Sequence, residues 1–254
     1  MRIVVAMKAV PDLVEEIELT PDETDIDREF LKFVLNEWDD QALEEALLVK
    51  DETGAEVVAV GLADDPDIDQ ALYTAIAKGA DGAVKLEGGG QDTHSRAAVF
   101  AAYLAEEPAD VVITGVQAPD DLDGQLAPML AARLGQRHVS VVAELRVRDG
   151  NLVVRQEFAG GRSHELELPT PAVIGLQASR EAPRYAPITR IRQAMQAGGV
   201  REVTVAAQPT GSGLSVRRMY PPEATGHAEM LSGDTEDVAA KIIELLRERG
   251  IVKA

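Results

Sequence analysis

Residues 39–60, DDQALEEALLVKDETGAEVVAV, change period within one short turn. Ala42, Leu43, Ala46, Leu47 and Val49 recur at helical spacing and set an apolar stripe against Glu44, Glu45 and Lys50, which predicts a helix over 39–50. After Gly54 the chain turns β-branched, and residues 56–60 read as a strand with no polar alternation. A strand apolar at every position is covered on both faces, as in a parallel sheet. The same alternation runs outward in both directions. Strands are predicted at 3–6, 83–86, 111–114, 139–143 and 172–176, and helices at 68–77, 95–105 and 125–134. The fold class is therefore α/β: a doubly wound, mainly parallel sheet with helices on both faces.

Two stretches interrupt the pattern. Segments 145–147, 152–157 and 163–168 are separated by Asp149-Gly150 and Gly160-Gly161, a strong hairpin signal, and predict an antiparallel hairpin insertion. Beyond Pro183 the chain is punctuated by proline and glycine at Pro187, Gly198, Gly199, Pro209, Gly211, Gly213, Pro221 and Pro222, before an amphipathic helix near 238–249. This reads as an extended C-terminal arm that packs on something else. The expected division is a domain over 1–183, a loop and helix over 184–199, and an arm and helix over 200–254.

The 254 residues, 45% hydrophobic, can bury one large core. A formal net charge of −19 repels phosphate polyanions over most of the surface, which argues against nucleic acid and against anionic membranes as partners. The absence of cysteine removes disulfides and thiolate metal sites. Met1 runs into the apolar stretch 3–6, too short for a signal segment or a membrane-inserting span, so the expected location is cytoplasmic.

Ligands of doubly wound sheets bind outside the carboxyl ends of the strands, where strand order reverses. That directs attention to the loop at 7–12 and the loop at 115–125. The second feeds a helix N-terminus whose free amides suit an anion, and Asp123 is placed to cap that helix. Other candidates are weaker. The acidic run 64–69 lacks the glycine and the later glutamate of a calcium loop, and reads as an acidic helix N-terminus. The glycines at 88–90 lack the Lys-Ser/Thr that would follow in a phosphate cradle, and read as a surface turn. His94, His138, His164 and His227 have no metal spacing, so no metal site and no catalytic residue is assigned.

The motifs in these loops resemble one family. Ile3-Val4-Val5-Ala6-Met7-Lys8-Ala9-Val10-Pro11-Asp12 is similar to the "VAVKRVPD" start of electron-transfer flavoprotein beta subunits. Leu35-Asn36-Glu37-Trp38-Asp39 with Ala42-Leu43-Glu44-Glu45-Ala46 resembles their "NPYDEIALEEA", with Glu37 in place of the proline. Ala75-Ile76-Ala77-Lys78-Gly79-Ala80-Asp81 resembles "ALAMGAD", and Glu181-Ala182-Pro183-Arg184-Tyr185 resembles "NEPRY". Gly115-Val116-Gln117, with Asp120, Asp121, Gly124-Gln125 and Met129, resembles "GKQ…DDD..QTGQM". The resemblance covers about the first three quarters of the chain.

It implies a sheet of adenine-nucleotide-binding type and a subunit that carries electrons without catalytic residues of its own. A structural AMP would be held by Ala6, by Asn36, Glu37, Trp38 and Asp39, by Leu62, and by Ala118, Asp120, Asp121, Leu122, Asp123, Gly124, Gln125, Leu126, Ala127 and Met129. The carboxylates of 120, 121 and 123 are expected to cap amides or face solvent. FAD would sit mainly in an alpha subunit, the partner in a heterodimer, with Trp38, the one tryptophan, at its wall. Residues 184–199 would form a recognition loop and helix with Ile188 as the apolar anchor for transient docking to acyl-CoA or other flavin dehydrogenases, and 200–254 would pack on the alpha subunit. The alternatives are a flavin-bifurcating beta subunit holding a second FAD in place of AMP, an ATP-hydrolysing relative and a stand-alone nucleotide sensor.

Overall fold

The first strand, β1 (Arg2–Met7), is buried from Ile3 onward, as its unbroken apolar run requires. It is followed by two short strands, β2 (Ala9–Pro11) and β3 (Phe33–Leu35), which pair antiparallel as a separate two-stranded sheet. Helix α1 (Glu37–Thr53) leads into β4 (Glu56–Leu62), α2 (Ile68–Lys78), β5 (Gly82–Glu87), α3 (Thr93–Glu106), β6 (Val111–Gly115) and α4 (Leu126–Leu134). Then come β7 (Arg137–Arg148), β8 (Asn151–Phe158), β9 (Arg162–Leu168), β10 (Ala172–Leu176), α5 (Ile188–Ala197), β11 (Val200–Thr204) and α6 (Thr235–Glu248). The main sheet has nine strands in the order β11-β5-β4-β1-β6-β10-β7-β8-β9, and its six pairs from β11 through β7 are parallel. One core packs α1 and α2 on one face of the sheet, and a second packs α3 and α4 on the other. The predicted doubly wound sheet is the observed one.

The computed structural model describes all residues except 15, 30, 89–91, 122, 207–214, 222–225, 227, 229 and 253–254. Gly89, Gly90, His227 and the arm residues Pro209, Gly211, Gly213 and Pro222 therefore lie outside the described residues. Two units are delineated, Met1–Arg217 and Arg218–Ala254. The second carries α6, capped by the Asp234 side chain, which accepts from the amides of Glu236 and Asp237 at 3.0 and 2.9 Å. Among the described residues no helix is long and apolar enough to cross a membrane.

Three features differ from the pattern-based reading. The segments at 139–143 and 145–147 are one strand. β7 runs parallel to β10 in its first half and antiparallel to β8 in its second, with Val141 at φ 63° beside the register shift. A bulge of that kind lets one strand change partners, so the hairpin extends the main sheet. Residues 200–204, Val-Arg-Glu-Val-Thr, inside the stretch read as an arm, form the edge strand β11 on β5. Edge strands need only one buried side, and this one carries no apolar run to announce it.

The third concerns α1. Glu44 and Glu45, assigned to its polar side, are 2% and 0% exposed. Glu45 Oε1 accepts from the Leu145 amide at 2.7 Å and from Arg180 Nε at 2.8 Å, while Oε2 accepts from the Arg180 amide at 2.9 Å. Glu44 is held in the same manner by the Arg184 amide and Nε, at 2.8 and 2.9 Å. Each arginine also reaches an acid two turns further along α1: Arg180 to Glu52 at 2.6 Å and Arg184 to Asp51 at 3.0 Å. Buried charge is tolerated here because each carboxylate is both paired and hydrogen-bonded. The irregular segment that follows β10 is thereby tied to α1.

Candidate functional site

Strand order reverses between β1 and β6, the central neighbours from which the chain winds outward in opposite directions. A cleft of about 440 Å³, counted to its open mouth, lies at the carboxyl ends of these two strands. Its walls come from four places: the end of β1 (Ala6, Met7, Lys8), the start of α1 (Asn36, Asp39), the first turns of α3 (Arg96, Phe100), and the loop from β6 into α4 (Gly115 to Ala118, Asp121, Gly124, Leu126).

The small β2–β3 sheet brings Asn36 beside Lys8, whose carbonyl accepts from the Asn36 amide at 2.9 Å. Asn36 occupies the N-cap position of α1, yet its side chain makes no capping bond. Instead Nδ2 donates across the cleft to the Gln117 carbonyl at 2.9 Å. Its Oδ1 is buried without a partner among the described residues. Asp39, on the first turn of α1, joins the two central strands' loops: Oδ2 accepts from the Lys8 amide and Oδ1 from the Gly115 amide, each at 2.9 Å. Gly115 is required by this approach. A Cβ there would lie 2.5 Å from Asp39 Oδ1 and 2.7 Å from Trp38 Cβ. Gly124 is required by its own backbone, with φ 61° and the Val116 carbonyl 2.5 Å from where a Cβ would sit.

Charge in the cleft is nearly all paired. Arg96 is 8% exposed and meets Asp65 end-on, with Nη1 donating to Oδ2 at 2.9 Å and Nη2 to Oδ1. Its Nε is buried and has no partner among the described residues. Lys8 Nζ lies 2.6 Å from Asp120 Oδ2, and Asp121 Oδ2 accepts from Thr93 Oγ1 at 2.7 Å. At the entrance to α4 the first intrahelical bond is Met129 N to the Gln125 carbonyl, so the amides of Leu126 and Ala127 have no partner within the helix. They form a small positive pole.

Burial pushes the Asp39 carboxyl from 3.8 up to about 7, against the pull of its hydrogen bonds and of Lys8. The folded chain then holds a proton that the unfolded chain releases near 3.8, so stability falls as pH rises from about 4 to about 7 and levels off above. Asp39→Asn removes this titration and also one of the two acceptors. Urea unfolding at pH 5 and pH 8 should find the wild type losing stability relative to Asp39→Asn at the higher pH. A constant difference between the two proteins would contradict the assignment.

Of the residues expected at a nucleotide, the cleft brings together Ala6, Asn36, Asp39, Ala118, Asp121, Gly124 and Leu126. Trp38 is half-buried, with its Cβ under Gly115, and Glu37 is exposed beside it. Leu62 and Ala127 lie in the α3/α4 core. Asp120, Asp123 and Gln125 are exposed, Met129 is half-buried, and Leu122 lies outside the described residues. Asp120 pairs with Lys8 and Asp121 accepts from Thr93, and the α4 N-cap is Gln125 with no side-chain cap, so Asp123 does not cap that helix. Gly124, in its left-handed turn, stands between the two.

Arg96 and Phe100 were not anticipated. The signal was a lone cation in an alanine-rich helix together with Asp65 in the acidic run. That run does place Asp69 in the first turn of α2, but Asp65 is buried against Arg96. Ile188 opens α5 and is 61% exposed, close to Tyr185 at 79%.

Comparison with known proteins agrees with this architecture. Residues 25–209 match the model of the electron transfer flavoprotein domain. The chain is 35% identical to the electron transfer flavoprotein subunit beta of Methylophilus methylotrophus, over 98% of both chains. It is 30% identical to the subunit of the same name from Clostridium acetobutylicum, again over 98% of both. It is also 30% identical to the caffeyl-CoA reductase-Etf complex subunit CarD of Acetobacterium woodii, over 99% of this chain and all of that one.

Proposed function

The chain belongs to the electron transfer flavoprotein beta-subunit family, and from that premise we propose that it holds a structural AMP in the cleft between β1 and β6. In this reading it assists an alpha subunit, which bears FAD, in carrying electrons from dehydrogenases to an acceptor. The observation that carries the reading is the cleft at the sheet's switch point, with Asn36 Oδ1 and Arg96 Nε buried in its walls and without partners among the described residues. Buried polar atoms in native proteins find partners, and a polar ligand supplies them. The chain's own residues suit an adenine mononucleotide: Phe100, Ala6 and Leu126 offer apolar walls, and the amides of Leu126 and Ala127 offer an anion point. A second phosphate would extend toward Asp120 and Asp121, whose carboxylates repel it.

The flavin supplies the redox chemistry, and this chain orients and shields. Asp39 fixes the loops after β1 and β6 relative to each other, and Trp38 is assigned to the flavin wall. Residues 1–183, with β11 added at the sheet edge, serve as the nucleotide-binding domain, 184–199 as the docking loop and helix, and the chain beyond β11 as the arm packed on the alpha subunit. The test is to denature the purified complex and count nucleotides. One FAD and one AMP per heterodimer is the expected result. Two FAD and no AMP would favour the second reading, a bifurcating beta subunit with FAD in this cleft, which the relative in a caffeyl-CoA reductase-Etf complex keeps in view.

Docking to dehydrogenases is assigned to Ile188, because an exposed apolar side chain at the start of a helix can fill a partner pocket and carry most of a small interface. Ile188→Ala should slow reduction by the dehydrogenase about tenfold, equivalent to about 1.4 kcal/mol, with nucleotide content and flavin spectrum unchanged. Equal reduction rates for the two proteins would remove the role.

A further inference from the structure

We infer that Arg96 reads the base of the bound nucleotide, its Nε–H donating to a ring nitrogen of an aminopurine while Asn36 Oδ1 accepts from the neighbouring exocyclic amine. The inference rests on the nucleotide reading above and adds a recognition element to it. Both atoms belong to residues that line the cleft, both are buried, and both lack partners among the described residues. Leaving two such atoms unpaired is costly, and they differ in kind: one can only donate, the other can only accept.

Charge decides what Arg96 can bind. Its two terminal nitrogens are taken by Asp65, so the guanidinium is neutralised where it is anchored. Asp39 and Asp121 line the same cleft, which makes the surroundings of Nε unfavourable for a phosphate. A phosphate has a better partner at the α4 amides, since Lys8 is itself paired with Asp120. What remains for Arg96 is a fixed donor toward a neutral acceptor. Phe100 stands four residues further along α3, on the same helix face, and lines the cleft with Arg96. A planar ring lying against that apolar wall would present its edge to Nε.

A donor and an acceptor in the walls of one cleft select among bases. Adenine offers an amine donor flanked by ring-nitrogen acceptors, whereas a 6-oxopurine replaces that amine with an acceptor that Asn36 Oδ1 would repel. Asn36 cannot simply turn over, because its Nδ2 is committed to the Gln117 carbonyl. Arg96 thus acts as a specificity-determining residue, and Asp65 as the residue that positions it.

The experiment titrates nucleotide-depleted complex with AMP, inosine monophosphate, and the 1-deaza and 7-deaza analogues of AMP. Inosine monophosphate and one of the two deaza analogues should bind at least tenfold more weakly than AMP. In Arg96→Lys, which retains a charge for Asp65 but has no Nε–H, AMP should weaken to the level of that deaza analogue and the difference between them should vanish. Equal binding of AMP and both deaza analogues by the wild type overturns the inference and leaves nucleotide binding intact, as does a difference that persists in Arg96→Lys. If AMP itself does not bind, the nucleotide reading fails first. The wild-type comparison needs no variant to fold.

Discussion

Glu45→Ala is expected to destabilise the chain by about 3–5 kcal/mol, the cost of breaking a buried ion pair from one side. Glu45 is completely buried, and its two oxygens accept from Leu145 N, Arg180 N and Arg180 Nε. Truncation leaves two backbone amides without their acceptor and takes from Arg180 the deeper of its two acids. Glu52 remains on its other side, but it is a largely exposed partner and replaces little of the loss. Urea unfolding should place the variant's midpoint well below that of the wild type. The same substitution in an Arg180→Ala background should cost less, because the guanidinium it would strand is already gone. A loss under about 1 kcal/mol, typical of a surface pair, would mean that the contacts do not persist in solution. Since Glu45 also ties down the segment leading to α5, the docking proposed for Ile188 should slow along with the loss of stability.

Gly115→Ala should act on the cleft more than on the fold. The added methyl would meet Asp39 Oδ1 at 2.5 Å, Trp38 Cβ at 2.7 Å and the Trp38 carbonyl carbon at 2.9 Å. Two of these belong to the first turn of α1 close to its backbone, and the third belongs to the carboxylate that holds the Lys8 and Gly115 amides. None can yield like the end of a flexible side chain. Overpacking of this kind costs about 1–3 kcal/mol. Relief requires α1 to move away from β6, which opens the wall between Asn36 and Gln117. Nucleotide retained through purification should fall on the order of tenfold, equivalent to about 1.4 kcal/mol of binding. Gly82→Ala is the control, because nothing lies within 4 Å of its Cβ position and its backbone is ordinary. Normal nucleotide content in Gly115→Ala, with stability unchanged, would show that α1 and β6 are not in contact there.

The alternation of β-branched runs and helical stripes carried the order of the parallel strands' elements almost completely, since burial on both faces leaves an unbroken apolar signature in each strand. It carried β7 only in pieces, because the residue that lets the strand change partners, Val141, looks like any other valine in sequence. It could not carry β11, whose two valines, Val200 and Val203, stand among Arg201, Glu202 and Thr204 in too short a run to announce a strand, and whose place is set by lying on β5. For the site, the two loops at the switch point were legible from position and from resemblance. Asn36, Asp39, Ala118 and Asp121 lie in those loops or in motifs next to them.

Periodicity thus encodes an α/β doubly wound sheet and the location of its switch point, and motifs held in order encode membership in a family. The pairings of polar groups far apart in the chain emerge only when the sheet is packed. Asp65 meets Arg96 across 31 residues, Asp39 meets the Gly115 amide across 76, and Glu45 meets Arg180 across 135. In the sequence each of these acids sits among other acids and reads as a solvated charge. Whether a carboxylate is solvated or buried depends on which cation or amide the packed sheet brings to it, and a local pattern holds no record of that distance.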